Sequence, residues 1–476
     1  MNLKKILSPD GYMTMPKERF SYWSYFVGQN FFYNIVTAYL VTYLMLLGID
    51  LAKIAVVMLI VKIWDAVNDP LFGVIFDKVK FKSKLKCLPW LRISVGLVPI
   101  STIILFIIPG GASENIKLVW FAAGYMLWDT CYTICDVPIY SMVTTMTDNI
   151  NERNTLMSIG RVFSGAGMGI SSVLCTFLIS EQVGLGFGSI SIILAVGGFL
   201  FMLPLCITGK ERNYHAELEE PTFSLKSMVK YIGHNKYLLI YFLGFFFTNG
   251  LMTSSAISTF VSYYLFGNTN FNIILGILGS VPSFLAAVLI PFLAKRFDKL
   301  KILFWSTTAS AILGFAIYFT GWKNMTAFII LTVFRSIFSS LVGTINFMFT
   351  PDCAEYGQYK TGIDAKGITF AIQTFSTKIA AAVASSFGLF VMKKFDWIEI
   401  NATSFEEIKA LNITQSATAL NGLWVTYILI PSIGMVISLL VYLFYKLRDR
   451  DIQVMAKCNA GEITREEAQQ QLSREY

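Results

Sequence analysis

Asp65 and Asp69 stand four residues apart on an apolar stretch, 53–76, with Asn68 three residues after the first of them. In a helix this spacing puts both carboxylates and the amide on one face. Two like charges so close repel in a dry interior. Something must neutralise them: a bound cation, a proton on one carboxylate, or a basic partner such as Lys62, Arg161 or Lys378. A hard cation such as Na+ needs several oxygen ligands, which Asp65, Asp69, the Asn68 amide and a hydroxyl such as Thr133 could supply. A salt-bridge network that only locks helices together is the alternative. A second group lies in Thr133-Ile134-Cys135-Asp136-Val137-Pro138-Ile139-Tyr140, where Pro138 frees a backbone carbonyl and Tyr140 shares a face with Asp136. A carboxylate beside an aromatic ring suits a sugar, because the acid accepts hydroxyl hydrogen bonds and the ring covers the C–H face. A buried, hydrogen-bonded Asp with a core Tyr is the plainer reading. Asp129 follows Trp128 nearer the helix end, and its role stays open.

These acids stand out because of the elements that carry them. The chain of 476 residues is 55% hydrophobic and only 14% charged, with a mean hydropathy of +0.60. Lipid is the expected solvent. Apolar runs long enough to span a bilayer occur near 20–47, 53–76, 90–109, 117–146, 155–180, 186–208, 237–266, 270–294, 300–320, 325–350, 366–392 and 417–446. That predicts an all-α membrane protein with twelve transmembrane helices. A charge inside such a helix costs about 2.5–3.5 kcal/mol on insertion scales, so those that persist usually face a cavity and serve a function. The acids in the runs are Asp65, Asp69, Asp129 and Asp136, and the bases are Lys62, Arg161, Arg335 and Lys378.

A polar interruption, 209–236, separates a first block of six helices (1–208) from a second (237–446), and a polar segment, 447–476, ends the chain. Most Lys and Arg fall before the first run, in 77–92, 209–236 and 295–301, and from Lys446 onward. Lys53, Lys117, Lys323, Lys393, Lys394 and Lys409 fall on the opposite side. The positive-inside rule then places both termini in the cytoplasm, at a plasma (inner) membrane. The blocks also echo each other: Phe76-Asp77-Lys78 closes the second run and Phe297-Asp298-Lys299 the eighth, while Asp148 to Arg153 has a counterpart in Asp352 to Tyr356. Two parallel six-helix repeats are the layout of the major facilitator fold, in which solute sits between the halves near the midplane.

Several classes are disfavoured. A net charge of +8 does not point to nucleic acid, since the basic residues sit in short gaps between apolar runs. Seven cysteines, most inside apolar segments, imply no disulfide framework. Cys131 and Cys135 share a face, but no His or second Cys pair accompanies them, which speaks against a metal site. No Gly-rich phosphate loop, His cluster or Ser-His-Asp set speaks for an enzyme, and no cofactor is expected. The N-terminus, with Lys4, Lys5, Lys17 and Arg19 and no cleavage site, reads as a retained end rather than a signal peptide.

Trp64-Asp65-Ala66-Val67-Asn68-Asp69-Pro70, followed by Gly73, resembles the helix-2 signature of the glycoside-pentoside-hexuronide:cation symporters, the melibiose permease family of the major facilitator superfamily. Supporting matches are Asp136-Val137-Pro138, Arg161, Asp352-Cys353-Ala354-Glu355-Tyr356-Gly357, and Gln373-Thr374 with Lys378, in order across the membrane domain. The resemblance implies symport of a sugar with Na+ or H+ by a protein working as a monomer in lipid. It implies cation-site roles for Asp65, Asn68, Asp69 and Thr133, with Asp65 and Asp69 holding the ion if it is Na+. Asp136, Tyr140, Arg161, Gln373, Thr374 and Lys378 match positions near the sugar. Helix 1 departs from the pattern: where melibiose permease has a Lys-Asp pair this chain has Gln29-Asn30, and the family's helix-4 Trp is Tyr140 here. A neutral amide pair keeps the charge balance but loses a strong sugar acceptor, and retained Arg161 and Lys378 would suit an anionic sugar such as a hexuronide.

Overall fold

The computed structural model describes residues 12–212, 233, 235–363, 366–474 and 476. Most of the polar segment 209–236 lies outside the described residues. The chain forms the major facilitator fold, in two compact units. The first comprises Met1–Leu218, Gly267–Ile273 and Ile398–Gln415, and the second Glu219–Phe266, Ile274–Trp397 and Ser416–Tyr476.

In the first unit run α1 (Pro16–Leu46), α2 (Leu51–Lys78), α3 (Leu88–Phe106), α4 (Glu114–Met146), α5 (Ile150–Ile179) and α6 (Phe187–Thr208). Polar residues start them where backbone N–H groups lack helical partners. The Asp50 carboxylate accepts from the N–H groups of Ala52 and Lys53, and the Asn149 side chain from those of Asn151 and Glu152. Of these six helices, α3, α5 and α6 are long and apolar enough to cross a membrane by composition alone. Helices α1, α2 and α4 are more polar, and they turn polar side chains toward one another, Gln29 to Asp136 and Asn68 to Asp129 and Thr133. On α2, Ile60, Ile63, Val67, Leu71 and Val74 form an exposed apolar stripe, while Asn68 is buried. α1 is buried along most of its length and packs on both α5 and α6. Close contact is possible because its partners are small. A Cβ on Gly28 would meet the Gly198 carbonyl at 2.4 Å, and one on Gly167 the Val27 carbonyl at 2.7 Å. The segment 398–415 joins this unit through a bridge between Leu47 and Asn401 and the bond from the Ala402 N–H to the Leu46 carbonyl, 2.9 Å.

The second unit contains α7 (Lys236–Gly250), α8 (Ser254–Tyr264), α9 (Phe271–Arg296, whose first turn is grouped with the first unit), α10 (Lys299–Thr320), α11 (Met325–Asn346), α12 (Phe349–Thr361) and α13 (Lys366–Lys394). After α14 (Phe405–Ala410), in the first unit, come α15 (Ala417–Trp424), a π-helical turn (Val425–Leu429), α16 (Ile430–Tyr442), α17 (Asp449–Asn459) and α18 (Arg465–Gln471). Three features differ from the sequence expectation. The run 237–266 is one helix by composition but breaks between Gly250 and Ser254. Asp298 does not close α9; its carboxylate caps α10, accepting from the Leu300 N–H at 3.0 Å. Asp352 to Tyr356 are helical, within α12.

The polar C-terminal segment also packs on the second unit. Ile452, Val454 and Met455 of α17 and Ala468 of α18 are buried in the core of the second unit with Tyr237, Tyr356 and Tyr445. Asp451 accepts from the Ser473 N–H (2.9 Å), the Ser473 hydroxyl (2.6 Å) and the Tyr476 hydroxyl (2.6 Å). Burial pushes the Asp451 carboxyl up, but these bonds outweigh it and hold it below its usual range. Its contribution is therefore present above pH 3.8, the ordinary value, and is lost as pH falls from there through the lowered native one. Asp451→Ala is expected to release α18, read as at least a tenfold faster tryptic cleavage after Arg465 at neutral pH.

Candidate functional site

α2 and α4 bring the sequence-selected acids together inside the first unit. Asn68 donates from Nδ2 to Asp129 Oδ2 at 3.1 Å and to Thr133 Oγ1 at 3.0 Å. Thr133 Oγ1 lies 3.0 Å from Asp69 Oδ1 and 2.9 Å from the Asp129 carbonyl, so its single proton serves one of the two. One amide thus ties Asp129 to a hydroxyl that reaches Asp69. Asp65, a turn earlier on α2, pairs with Lys62 Nζ at 3.4 Å, and Lys62 donates to the Tyr125 hydroxyl and lies over the Tyr125 ring. The helices place these groups by spacing alone: Asp65 and Asp69 share one face of α2, and Asp129, Thr133, Asp136 and Tyr140, at intervals of four, three and four, run down one face of α4.

Such a cluster is built of hard oxygen donors and carries more negative than positive charge, the setting for a monovalent cation or a proton. Among the described residues no three His, Cys, Asp or Glu side chains come close enough to hold a metal ion. A cation here would therefore lean on neutral oxygens, the Asn68 amide and the Thr133 hydroxyl, as well as on carboxylates.

The second cluster begins one turn along α4. Gln29 Nε2 donates to Asp136 Oδ1 at 2.6 Å, while Gln29 Oε1 is buried with no hydrogen-bond partner among the described residues. Tyr140, two-fifths exposed, offers a ring face beside Phe26, with centroids 5.5 Å apart. Tyr33 and Tyr132 pair nearby, and Tyr132 stacks on Trp128. The amide pair of helix 1 does not act as a pair. Asn30 turns back to the Phe26 carbonyl at 2.8 Å, and only Gln29 reaches Asp136. Arg161 is exposed on α5. In the second unit Gln373 Oε1 is buried without a hydrogen-bond partner among the described residues, Thr374 is exposed with its hydroxyl on the Phe370 carbonyl, and Lys378 is half-buried on the same helix.

Asp129 is the residue whose role the sequence left open. It is 5% exposed and belongs to the first cluster rather than to the interface. The four-three-four spacing down α4 held the signal, since it puts Asp129 on the same stripe as Thr133, and both meet Asn68 of α2.

Comparison with known proteins adds the following. Residues 21–449 match the family model described as MFS/sugar transport protein. The chain is 25% identical to the isoprimeverose transporter of Lactiplantibacillus pentosus over 92% of its own length and 90% of the relative's. It is 23% identical to the glucuronide carrier protein homolog of Escherichia coli (strain K12), over 89% and 91%, and 25% identical to that organism's putative sulfoquinovose importer, over 91% of each. Among solved structures it resembles the nucleoside transporter NupG, with a TM-score of 0.66 and 11% identity over 90% and 99% of the two chains. It also resembles a D-xylose-proton symporter, with a TM-score of 0.62 and 12% identity over 90% and 98%.

Asn68→Leu removes the donor shared by Asp129 and Thr133. Interhelical hydrogen bonds in membranes average about 0.6 kcal/mol, but an orphaned buried acceptor costs about 1–3 kcal/mol. Thermal unfolding of the purified protein is expected to register a loss in the upper range, and one that Asp129→Asn, which keeps an acceptor, does not reproduce.

Proposed function

We propose, on the premise that this chain belongs to the MFS/sugar transport protein family, that it imports a glycoside, pentoside or hexuronide together with Na+ or H+ by alternating access. The chain is an integral membrane transporter and not an enzyme. The observation that carries the coupled reading is the continuity of the two clusters along α4: Thr133, which touches Asp69 and Asn68, lies three residues from Asp136, which holds Gln29. A cation that neutralises the α2 carboxylates acts one helical turn from the proposed sugar acceptor, so each ligand favours the conformation that the other binds.

In this reading Asp65, Asn68, Asp69 and Thr133 bind the cation, and Asp129 fixes the Asn68 amide. Gln29, Asp136, Tyr140 and Arg161 contact the sugar from the first unit. Gln373, Thr374 and Lys378 are the proposed sugar contacts of the second. Asn30, bonded to its own helix, shapes α1 and does not meet the ligand directly. If H+ is the coupling ion, Asp65 or Asp69 carries it, because both histidines, His215 and His234, lie in the polar segment between the halves. Several relatives support the substrate class: one is described by a glucuronide and one by sulfoquinovose, both anionic, and one by isoprimeverose, which is neutral. In this reading the protein works as a monomer in the plasma (inner) membrane with both termini cytoplasmic, a topology that the distribution of Lys and Arg supports.

Coupling is reciprocal by linkage: the factor by which Na+ tightens sugar binding equals that by which sugar tightens Na+ binding. Counterflow of labelled sugar in proteoliposomes tests the reading. Wild type is expected to exchange sugar with a rate raised at least tenfold by Na+ or by lowered pH, and Asp69→Asn to lose that dependence. Unaltered cation dependence in Asp69→Asn would remove this carboxylate from the mechanism. Binding without exchange would identify a sensor instead.

A further inference from the structure

We propose that the second unit holds an anion-binding subsite centred on Arg335, fitted to a carboxylate or sulfonate group. Arg335 stands midway along α11 and is unused by the mechanism above. A guanidinium offers five N–H donors. One reaches Ser432 Oγ at 3.3 Å, and Ser432 gives its own proton to the Ile428 carbonyl at 2.7 Å. Among the described residues no Asp or Glu forms an ion pair with Arg335. A cation so placed in a membrane-spanning helix marks a functional site by default, with its counter-charge to be supplied.

The surroundings are built as a receptor for that counter-charge. Arg335 borders a cavity of about 180 Å³ that Thr332, Ser336, Ser339, Tyr427 and Ser254 also line. The Thr332 hydroxyl is buried with no hydrogen-bond partner among the described residues. Two backbone irregularities of the unit converge here: Ser254 opens α8 just past the break in the seventh span, and Tyr427 lies in the π-helical turn. Non-helical backbone at membrane depth is tolerated where it lines a cavity, and π turns gather at functional sites. The Thr253 hydroxyl is committed to the Thr426 carbonyl at 2.5 Å, so α8 begins without a side-chain cap and adds the positive end of a helix dipole to the guanidinium charge. Space is kept by Gly314, where a Cβ would lie 2.1 Å from Ser432 Oγ and 3.2 Å from Arg335 Cζ. Charge, uncommitted donors and an uncapped helix start all select an anion over a neutral hydroxyl group.

The inference deepens the sugar-transport reading and rests on it for the rest of the ligand. Methyl β-glucuronide and methyl β-glucoside differ only in the carboxylate, and inorganic sulfate supplies an anion with no sugar. Each is titrated against the full-length purified protein by thermal stabilisation, with Na+ present. Wild type is expected to bind the glucuronide at least tenfold more tightly than the glucoside and to respond to sulfate. Arg335→Gln is expected to erase both effects and leave the glucoside response in place. Arg335→Lys, which keeps the charge but not the planar fork, is expected to retain a several-fold preference, and Thr332→Val to weaken the glucuronide alone. If Arg335→Gln does not yield folded protein, a glucuronide preference in Arg335→Lys or Thr332→Val as large as in wild type overturns the subsite. It is likewise overturned if wild type shows no carboxylate preference and no response to sulfate, or if the preference survives Arg335→Gln. A sulfate response that depends on Arg335, with neither glycoside binding, would uphold the subsite and instead defeat the sugar reading.

Discussion

Hydrocarbon offers no partner to a charge or a lone N–H, and in this chain that constraint decides which helices may face lipid. A carboxylate on a spanning helix has to meet its donors on another helix. Asn68 is the clearest instance: its amide crosses from α2 to α4, meets Asp129 and Thr133 together, and so sets the rotation of both helices. With α2 turned this way, its opposite stripe from Ile60 to Val74 can be wholly apolar. Lys62 obeys the same rule a turn away, divided between the Asp65 carboxylate and the Tyr125 hydroxyl.

The close packing of α1 follows from the same constraint. A helix bearing Gln29, Asn30 and Asn34 is too polar for lipid, and it is lodged between α5 and α6, where Gly167 and Gly198 let the backbones approach. Each amide finds a different partner there: Gln29 on Asp136, Asn30 on its own helix, and Asn34 on the Ser171 hydroxyl. Burial turns side chains of similar chemistry to different uses, one toward the candidate site and two toward packing.

Hydropathy made the helical membrane architecture legible, because twenty apolar residues have few other fates in water. The acids were legible for the converse reason, since Asp65, Asp69 and Asp136 interrupt runs that would otherwise be apolar. Other features depend on tertiary partners and left little trace in the chain. The break after Gly250 has no proline to announce it; it is held by Thr253 reaching the Thr426 carbonyl, more than 170 positions away. Asn30 and Gln29 look equivalent until the helix rotation is known. The docking of α17 was half visible, in the apolar Ile452, Val454 and Met455 beside Asp449 and Asp451, but an amphipathic segment does not say which surface it will cover.

The π-helical turn at Val425–Leu429 is in effect a surplus residue absorbed without cutting the rod. Each residue of an α-helix advances the face by about 100°, so everything after the turn is set out of phase with what precedes it. The side chains beyond it are committed to fixed neighbours: Ser432 to Arg335, Ser438 to Thr248, and Tyr442 to Asn346. Losing one residue from this stretch would restore regular winding and swing all three away together. The last membrane helix therefore keeps count: its length can change at its ends, but the stretch between Trp424 and Ser432 holds the phase for the whole lower half.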